Sequence, residues 1–398
     1  MRVAFIHSGY SQHLQSGIIR VETELVNELR RRGHTADIMP WDEDLQGSLV
    51  AQQYLRIVRP MTLIYKQIKD FIVNGRYELV VFQGVGYPEA RAIPWLKKET
   101  KARLVINQHG WTLHSPAMRL LVEGYMQAVG HILLHEADAV IANSNYVLSH
   151  LAEFLEPEKI ELIYPGVDVK RFTPFGFESV GESTKNATHV GDALRNKWAI
   201  KQKHVLLGNG KLSSVKNYAT VLRALPLLAD TEFLLIGSGS KTKNDYYQQL
   251  AVELGVAERV RFLGTLPNKQ LPPLYQLADV FVHPSKTEAL GIVLLEALAC
   301  ETPVVVADVG GVRDVVIDNF NGLLFSDPKD HEALASRTRE LLAHPDKRAE
   351  FGRNGRELVK AKFNWERVLP QYIQTFERIL KIPRKTVEDP AGVFGAFA

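Results

Sequence analysis

Short uninterrupted apolar runs, separated by segments of helical period, recur along this chain and restrict its fold more than any other feature. Val304 to Ala307 is a clear case, an apolar run typical of a parallel strand covered on both faces. Comparable runs stand at Val3 to Ile6, Ala36 to Met39, Leu79 to Gln83, Arg103 to Asn107 and Ala139 to Asn143, with Lys159 to Ile163 weaker. A second series follows His204, at Val205 to Leu207, Phe233 to Ile236, Val260 to Leu263, Val280 to Val282, Val304 to Ala307 and Leu323 to Phe325. Helical patterns fill most intervals, among them Gly17 to Arg32, Tyr218 to Leu228, Asp245 to Leu254, Leu271 to Leu277 and His331 to Leu342. Such alternation predicts an α/β fold of mostly parallel sheets with helices on both faces, arranged as two doubly wound domains in tandem. The expected boundaries are a first domain over 1–170, a linker and surface loop over 171–203, and a second domain over 204–363. A helix over 364–382 and a tail over 383–398 with little packing potential complete the chain.

Composition narrows the function classes. A chain of 398 residues is long for one domain. An apolar content of 45% and a charged content of 23% are ordinary for a soluble protein. The net charge of +3 gives no reason to expect nucleic acid or another polyanion as partner. Cys300 is the single cysteine, which excludes an internal disulfide or a thiolate metal cluster and is consistent with the cytoplasm. The opening MRVAFIHSGY reads as a strand rather than a signal peptide, and no apolar stretch is long enough to span a bilayer. Asn186-Ala187-Thr188 is taken as a chance sequon.

Doubly wound sheets bind ligands at the carboxyl ends of their strands, so residues just after the apolar runs are the candidates. Ser16-Gly17 opens the first helix and reads either as a plain turn and cap or as a close backbone approach to ligand. His109, followed by Gly110-Trp111, stands just past the strand ending at Asn107 and divides evenly between a structural and a functional role. Gly208-Asn209-Gly210-Lys211 follows the first strand of the second series, and Lys216 comes just before a helix. Two lysines at a strand-to-helix loop suit a pyrophosphate clamp, although either alone is as easily a solvated loop residue. Gly237-Ser238-Gly239 is a weaker phosphate-loop-like turn. Glu288 and Glu296 bracket a segment in which a helix is expected from Ala289 to Ala299, buried through Leu294, Leu295 and Leu298. They are either solvated helix charges or the ends of an extended ligand site of about 12 Å. Between them Leu290, Gly291 and Ile292 would offer backbone N–H groups at a helix N-terminus. Neither a P-loop nor a metal-ligand motif occurs, so no metal or other cofactor is expected. Between Tyr54 and Ile72, Arg56, Arg59, Lys66 and Lys69 interleave with apolar residues, either as core-packed helices broken at Pro60 or as a basic surface for anionic lipid.

In order, Lys211, Lys216-Asn217, FLLIGSGS, VRFLGTLP, ADVFVHPS and Glu288-x7-Glu296 followed by TPVVVADVGGVRDVV resemble the retaining nucleotide-sugar glycosyltransferases of family 4. Ser16-Gly17, RGHTADI, ADAVIANSNYV and IELIYPGVDVKRFTP extend the resemblance through the first half. It implies a GT-B fold, two Rossmann-like domains facing across a cleft, with Trp365 to Lys381 crossing back to the first. By the same resemblance Glu296 binds the ribose hydroxyls, Glu288 the donor sugar, Lys211 and Lys216 the diphosphate, and the backbone of Leu290 to Ile292 the sugar and phosphate. Gly210 lies in the donor-side loop, Gly17 lets backbone approach the phosphate, and His109 lies near the sugar. Departures are Lys211 where Arg is common, Ser16 for the first of a glycine pair, Ala289-Leu290 for Gly-Phe, and Cys300-Glu301 where glycine often stands. The implied reaction is metal-independent transfer of a hexosyl-type group from a nucleoside diphosphate sugar to an acceptor hydroxyl, with retention by front-face attack. Acceptor classes are a glycan, a lipid-linked or a small molecule, with peripheral contact at the inner face of a membrane if the Tyr54 to Ile72 surface docks there. A nucleotide-sugar epimerase of the same fold and a non-catalytic sugar-nucleotide binding protein are the alternatives.

Overall fold

The computed structural model describes residues 1–7, 17–39, 61–110, 123–174 and 192–382. Its strands are β1 Arg2–Ile6, β2 Thr35–Ile38, β3 Leu79–Phe82, β4 Arg103–Gln108, β5 Ala139–Ala142 and β6 Ile160–Leu162 in the first half. The second half holds β7 His204–Asn209, β8 Thr231–Ile236, β9 Val260–Gly264, β10 Val280–His283, β11 Val304–Ala307 and β12 Gly322–Phe325. Two six-stranded parallel sheets result, ordered β2-β1-β3-β4-β5-β6 and β12-β11-β10-β7-β8-β9. Each apolar run of the sequence lies in one of these strands, because a parallel strand with helices on both faces is buried throughout. β3, β5, β10 and β11 are buried at every residue.

Strand order decides where ligands can enter. Chain direction reverses its lateral sense between β1 and β3 in the first sheet and between β7 and β10 in the second. Loops leaving two such strands diverge to opposite sides and leave a crevice at the carboxyl edge. Asn209 and His283 end the second pair, and Ile6 and Phe82 end the first. The residues that follow these four positions line the candidate site.

The Gly17–Arg31 helix buries Ile19, Val21, Leu25, Val26 and Leu29, the face expected from its period, and places Arg30 and Arg31 where the helix dipole favours cations. The Trp365–Lys381 helix packs Trp365, Val368, Leu369, Tyr372, Phe376 and Ile379 into the cluster that holds Val3, Phe5, Leu25 and Val81. The chain thus returns from the second sheet to cover the first, as the GT-B resemblance implies. Val167 and Phe172 already belong to a second-half cluster, and Trp198 and Ile200 pack on it, so the described ends of the 171–203 segment are anchored.

One local expectation changes and one of two alternative readings is met. The helix expected from Ala289 begins only at Ile292, because Gly291 takes φ +92° and a residue in that conformation caps a helix rather than continuing it. The Met61–Gly75 helix, starting directly after Pro60, turns Ile64, Ile68 and Ile72 into the first core, while Lys69 pairs with Glu99. Its apolar face is therefore packed on protein, as the core-helix reading requires. Tyr54, Arg56, Arg59, Ser16, Trp111, the sequon and the 383–398 tail lie outside the described residues. Among the described residues no helix is long and apolar enough to cross a membrane.

Phe376 is fully buried between the last helix and the first sheet. Phe376→Ala should destabilise the fold by about 3–5 kcal/mol, the usual cost of an aromatic cavity. Urea titration of the variant checks this through a lowered midpoint.

Candidate functional site

At the second crevice the loop after β7 and the loop after β10 meet. Lys216 Nζ lies 2.5 Å from Glu288 Oε2, and His283 Nε2 lies 2.8 Å from the same oxygen. Burial alone would raise the Glu288 pKa, but the Lys216 charge and the His283 hydrogen bond overcome it and hold the carboxyl well below its ordinary range. Glu288 is therefore a fixed anion. His283 is itself pushed down by burial, so its Nε2–H donates as a neutral imidazole. The Tyr218 hydroxyl, buried and without a partner among the described residues, is raised by burial and by Glu288.

Glu296 lies five residues past Gly291 on the buried side of the Ile292–Ala299 helix, only 3% exposed. Its Oε2 accepts from the Tyr275 hydroxyl at 2.7 Å, and that hydroxyl accepts from Asn209 Nδ2 at 2.9 Å. Its Oε1 lies 2.7 Å from Nη1 of Arg20, which reaches across from the first half. Burial raises the Glu296 pKa against the opposing charge of Arg20. No side chain caps the Ile292–Ala299 helix, so its first N–H groups and the positive end of its dipole open toward the cleft.

The first half supplies the facing wall. Gly17 begins its helix against Ile292, with a distance of 3.4 Å from a Cβ position to Ile292 Cδ1. Gly110, at φ +88°, brings the equivalent position within 3.0 Å of the Ala289 Cβ. Asp314 crosses in the other direction and accepts from the Asn145 backbone N–H at 2.6 Å, capping the Asn145–Leu151 helix from the opposite half. The two halves are closed on each other at these points.

His109 sits half-buried in a polar chain whose proton positions can be deduced. Glu22 accepts from Gln83 Nε2 at 3.2 Å and bonds His7 Nδ1 at 3.0 Å. With its amide nitrogen thus committed, Gln83 presents Oε1 to His109 Nε2 at 2.6 Å, so that nitrogen carries the proton. Nδ1 of His109 then accepts from Asn143 Nδ2 at 3.3 Å. Burial, with the neighbouring His7 adding to it, pushes the His109 pKa down to about 3. His109 is a neutral hydrogen-bonding group near the cleft rather than a cation.

Of the residues singled out in the sequence, Gly17, Lys216, Glu288, Gly291, Ile292 and Glu296 converge here. Leu290 turns its side chain into the second core, leaving its backbone in the loop. His109 lies one layer behind, on the Gly110 loop. Lys211 is exposed and forms no ion pair among the described residues, so the lysine pair is not assembled in this state. Gly210 N–H bonds the Ile236 carbonyl at 3.0 Å, and a Cβ on Gly237 would overlap the Gly210 carbonyl. The Gly237-Ser238-Gly239 turn therefore packs against the backbone of the Lys211 loop. Sequence reasoning missed Arg20, Tyr275 and His283 as site residues. Arg20 stands three positions after Gly17, where the first helix turn must face the same rim, and His283 ends the strand that precedes Glu288. Among the described residues no group of three or more His, Cys, Asp and Glu side chains is placed to hold a metal ion.

Comparison with known proteins covers both halves. A family model described as Glycosyltransferase Family 4 matches residues 16–171, and one described as Glycosyl transferases group 1 matches residues 191–358. A GDP-mannose-dependent alpha-(1-6)-phosphatidylinositol monomannoside mannosyltransferase of Mycolicibacterium smegmatis is 29% identical over 80% of this chain and 81% of its own length. A D-inositol 3-phosphate glycosyltransferase of Corynebacterium urealyticum is 30% identical over 65% of this chain, and the match spans 62% of that protein. In fold, the chain resembles sucrose-phosphate synthase of Thermosynechococcus elongatus, with a TM-score of 0.78, 23% identity and coverage of 95% and 98% of the two chains. It also resembles Anabaena HepE in complex with UDP-glucose, with a TM-score of 0.74, 19% identity and coverage of 95% and 100%.

The His109 assignment has a pH signature. Its pKa is lowered on folding, so the unfolded chain takes up a proton that the native site refuses as pH falls below about 6.5, and stability declines with pH in that window. Between pH 7.5 and 5 this should cost at most about 2 kcal/mol. His109→Gln, which keeps a donor for Gln83, should lose less stability over the same interval, as read by thermal melts at the two pH values.

Proposed function

The chain belongs to glycosyltransferase family 4 and is a nucleotide-sugar-dependent glycosyltransferase, and from that premise we propose how its cleft carries out the transfer. A hexosyl-type group passes from a nucleoside diphosphate sugar to an acceptor hydroxyl on a glycan, a lipid-linked or a small molecule. The bond between the anomeric carbon and the phosphate oxygen breaks, with its electron pair leaving on the diphosphate. The acceptor oxygen bonds to the same carbon on the same face while its hydroxyl proton passes to the departing phosphate oxygen, so configuration is retained.

The observation that carries this reading is the meeting of Lys216, Glu288 and the uncapped Ile292–Ala299 helix N-terminus opposite Gly17. Charge develops on the leaving diphosphate, and a cation beside a helix N-terminus is a preorganised site for it. Lys216 releases Glu288 in part to reach the diphosphate, and Lys211 swings in from solvent as a second cation. Its single ammonium in place of a guanidinium gives a point charge rather than a fork. Glu288 serves as acceptor for sugar hydroxyls. With His283 hydrogen-bonded to Oε2 and Lys216 beside it, Glu288 is held in place by its partners, which suits recognition better than nucleophilic attack and supports front-face departure over a covalent intermediate. Glu296, an acceptor-only group once ionised, takes the ribose hydroxyls. The Ala289 methyl group, pressed on Gly110 from the opposite half, narrows the space beside Glu288 and bears on which donor sugar fits.

Lys216→Ala should lower kcat by about a hundredfold, the typical worth of one charge-stabilising group, and a loss under about threefold would remove Lys216 from the chemistry. Purified enzyme assayed with and without EDTA should transfer at the same rate, since leaving-group charge is met by cations and backbone dipoles; a rate abolished by EDTA and restored by Mg²⁺ would refute this. Product analysis with donor alone separates the epimerase alternative, which converts donor without acceptor.

A further inference from the structure

Arg20 stands out among the groups that touch the candidate site because it belongs to the other half of the molecule. Its Nη1 lies 2.7 Å from Glu296 Oε1 and 3.2 Å from Asn268 Oδ1. Its side chain is 12% exposed, and its Nε is buried without a partner among the described residues. One turn further along the same helix, Glu24 accepts from Arg171 Nη1 at 2.6 Å and from Trp365 Nε1 at 3.0 Å, the two points where the chain crosses between halves. Arg20 and Glu24 share one helix face at i and i+4, so the contact with Glu296 and the contacts with the crossover are borne by one rigid element.

A carboxylate as buried as Glu296 is costly to ionise unless a cation and further hydrogen bonds offset the lost water. Tyr275 supplies one hydrogen bond, and Arg20 supplies the charge. Protonated, the same group would present a hydroxyl donor and lose part of its capacity to accept from two ribose hydroxyls. We propose that Arg20 is a positioning residue for the donor nucleotide: reaching across the cleft, it holds Glu296 ionised and oriented toward the ribose, so ribose recognition is complete only when the halves are closed. This rests on the reading of Glu296 as the ribose carboxylate. Arg20 keeps its ion pair while the ribose uses the remaining lone pairs of Glu296, of which each oxygen has two.

Calorimetric binding of UDP, GDP and ADP and of their 2′-deoxy counterparts tests the proposal without knowledge of the sugar. For the nucleotide that binds most tightly, wild type should prefer the ribo form, and Glu296→Gln should erase the preference. Arg20→Met should reduce the ribo-to-deoxy affinity ratio by about tenfold, the worth of a hydrogen bond to a charged group, while deoxy affinity changes by less than about threefold. Arg20→Lys should restore part of the ratio, and adding Arg20→Met to Glu296→Gln should cost nothing further in it. Melting temperatures confirm that each variant is folded. Equal loss on ribo and deoxy forms would overturn the proposal and assign Arg20 to the phosphates or to domain closure alone. Tighter binding by Arg20→Met would overturn it in the opposite sense, making Arg20 a competitor of the nucleotide. If Glu296→Gln keeps the preference while Arg20→Met removes it, the reading of Glu296 fails; if Glu296→Gln removes it and Arg20→Met does not, only the role of Arg20 fails.

Discussion

Carboxylates held at the buried rims of parallel sheets are the constraint on which the rest of this structure depends. Removing an ionised carboxylate from water costs several kcal/mol even after relaxation, so each one fixes the identity of its neighbours. Glu288 requires Lys216 and His283, Glu296 requires Arg20 and Tyr275, and Glu22 requires His7 and Gln83. Each set draws on loops or helices that follow different strands. The sheets bring those strands together, and the carboxylates determine what their loops must carry. A single substitution among the partners leaves a charge unmatched rather than merely deleting a contact, which is why the site is tied so closely to the fold.

The position of the two sets follows from topology. Lys216 and Glu288 are 72 positions apart in sequence. They meet because β7 and β10 are neighbours with connections that leave in opposite directions, and the loops after such strands face one crevice. The same geometry in the first sheet sets His7, after β1, beside Gln83, after β3, with Glu22 bridging them. His109 follows the next strand and joins that chain through Gln83. The Lys216–Glu288 pair and the Gln83–His109 chain are thus two applications of one rule about strand order.

Strands were legible in the sequence because burial on both faces forces continuous apolar runs, as at Leu79 to Phe82 and Val304 to Ala307. Glu288, Glu296 and Lys216 were legible as candidates because they sit at predictable loop and helix positions. Their partners were not. Nothing local in the sequence says that Arg20 meets Glu296, since the pair depends on how two independently folded sheets close. The apolar face of Leu294, Leu295 and Leu298 points to a helix without fixing its first residue, and the left-handed Gly291 sets that start at Ile292. The glycines of the Gly237-Ser238-Gly239 turn let it approach the Gly210 and Leu212 carbonyls of the adjacent loop, a packing need that the sequence does not show.

Closure of the two halves is built from contacts of unequal kind, and that inequality gives the cleft its character. Gly110 on Ala289 and Gly17 on Ile292 are apolar contacts of small area, which oppose opening weakly. Asp314 on the Asn145 helix is charged, directional and exposed, whereas Arg20 on Glu296 is charged, directional and largely desolvated. Opening the cleft would strand Glu296 with Tyr275 as its remaining partner in a low-dielectric pocket, a cost that is relieved only where water or a ligand replaces Arg20. One turn along the same helix, Glu24 holds Arg171 and Trp365 where the chain passes between the halves. The first helix is therefore anchored both at Glu296 and at the crossover. Any rotation of one half against the other must break one of these sets or move them as a unit, which makes the state of Glu296 and the angle of the cleft two aspects of a single equilibrium.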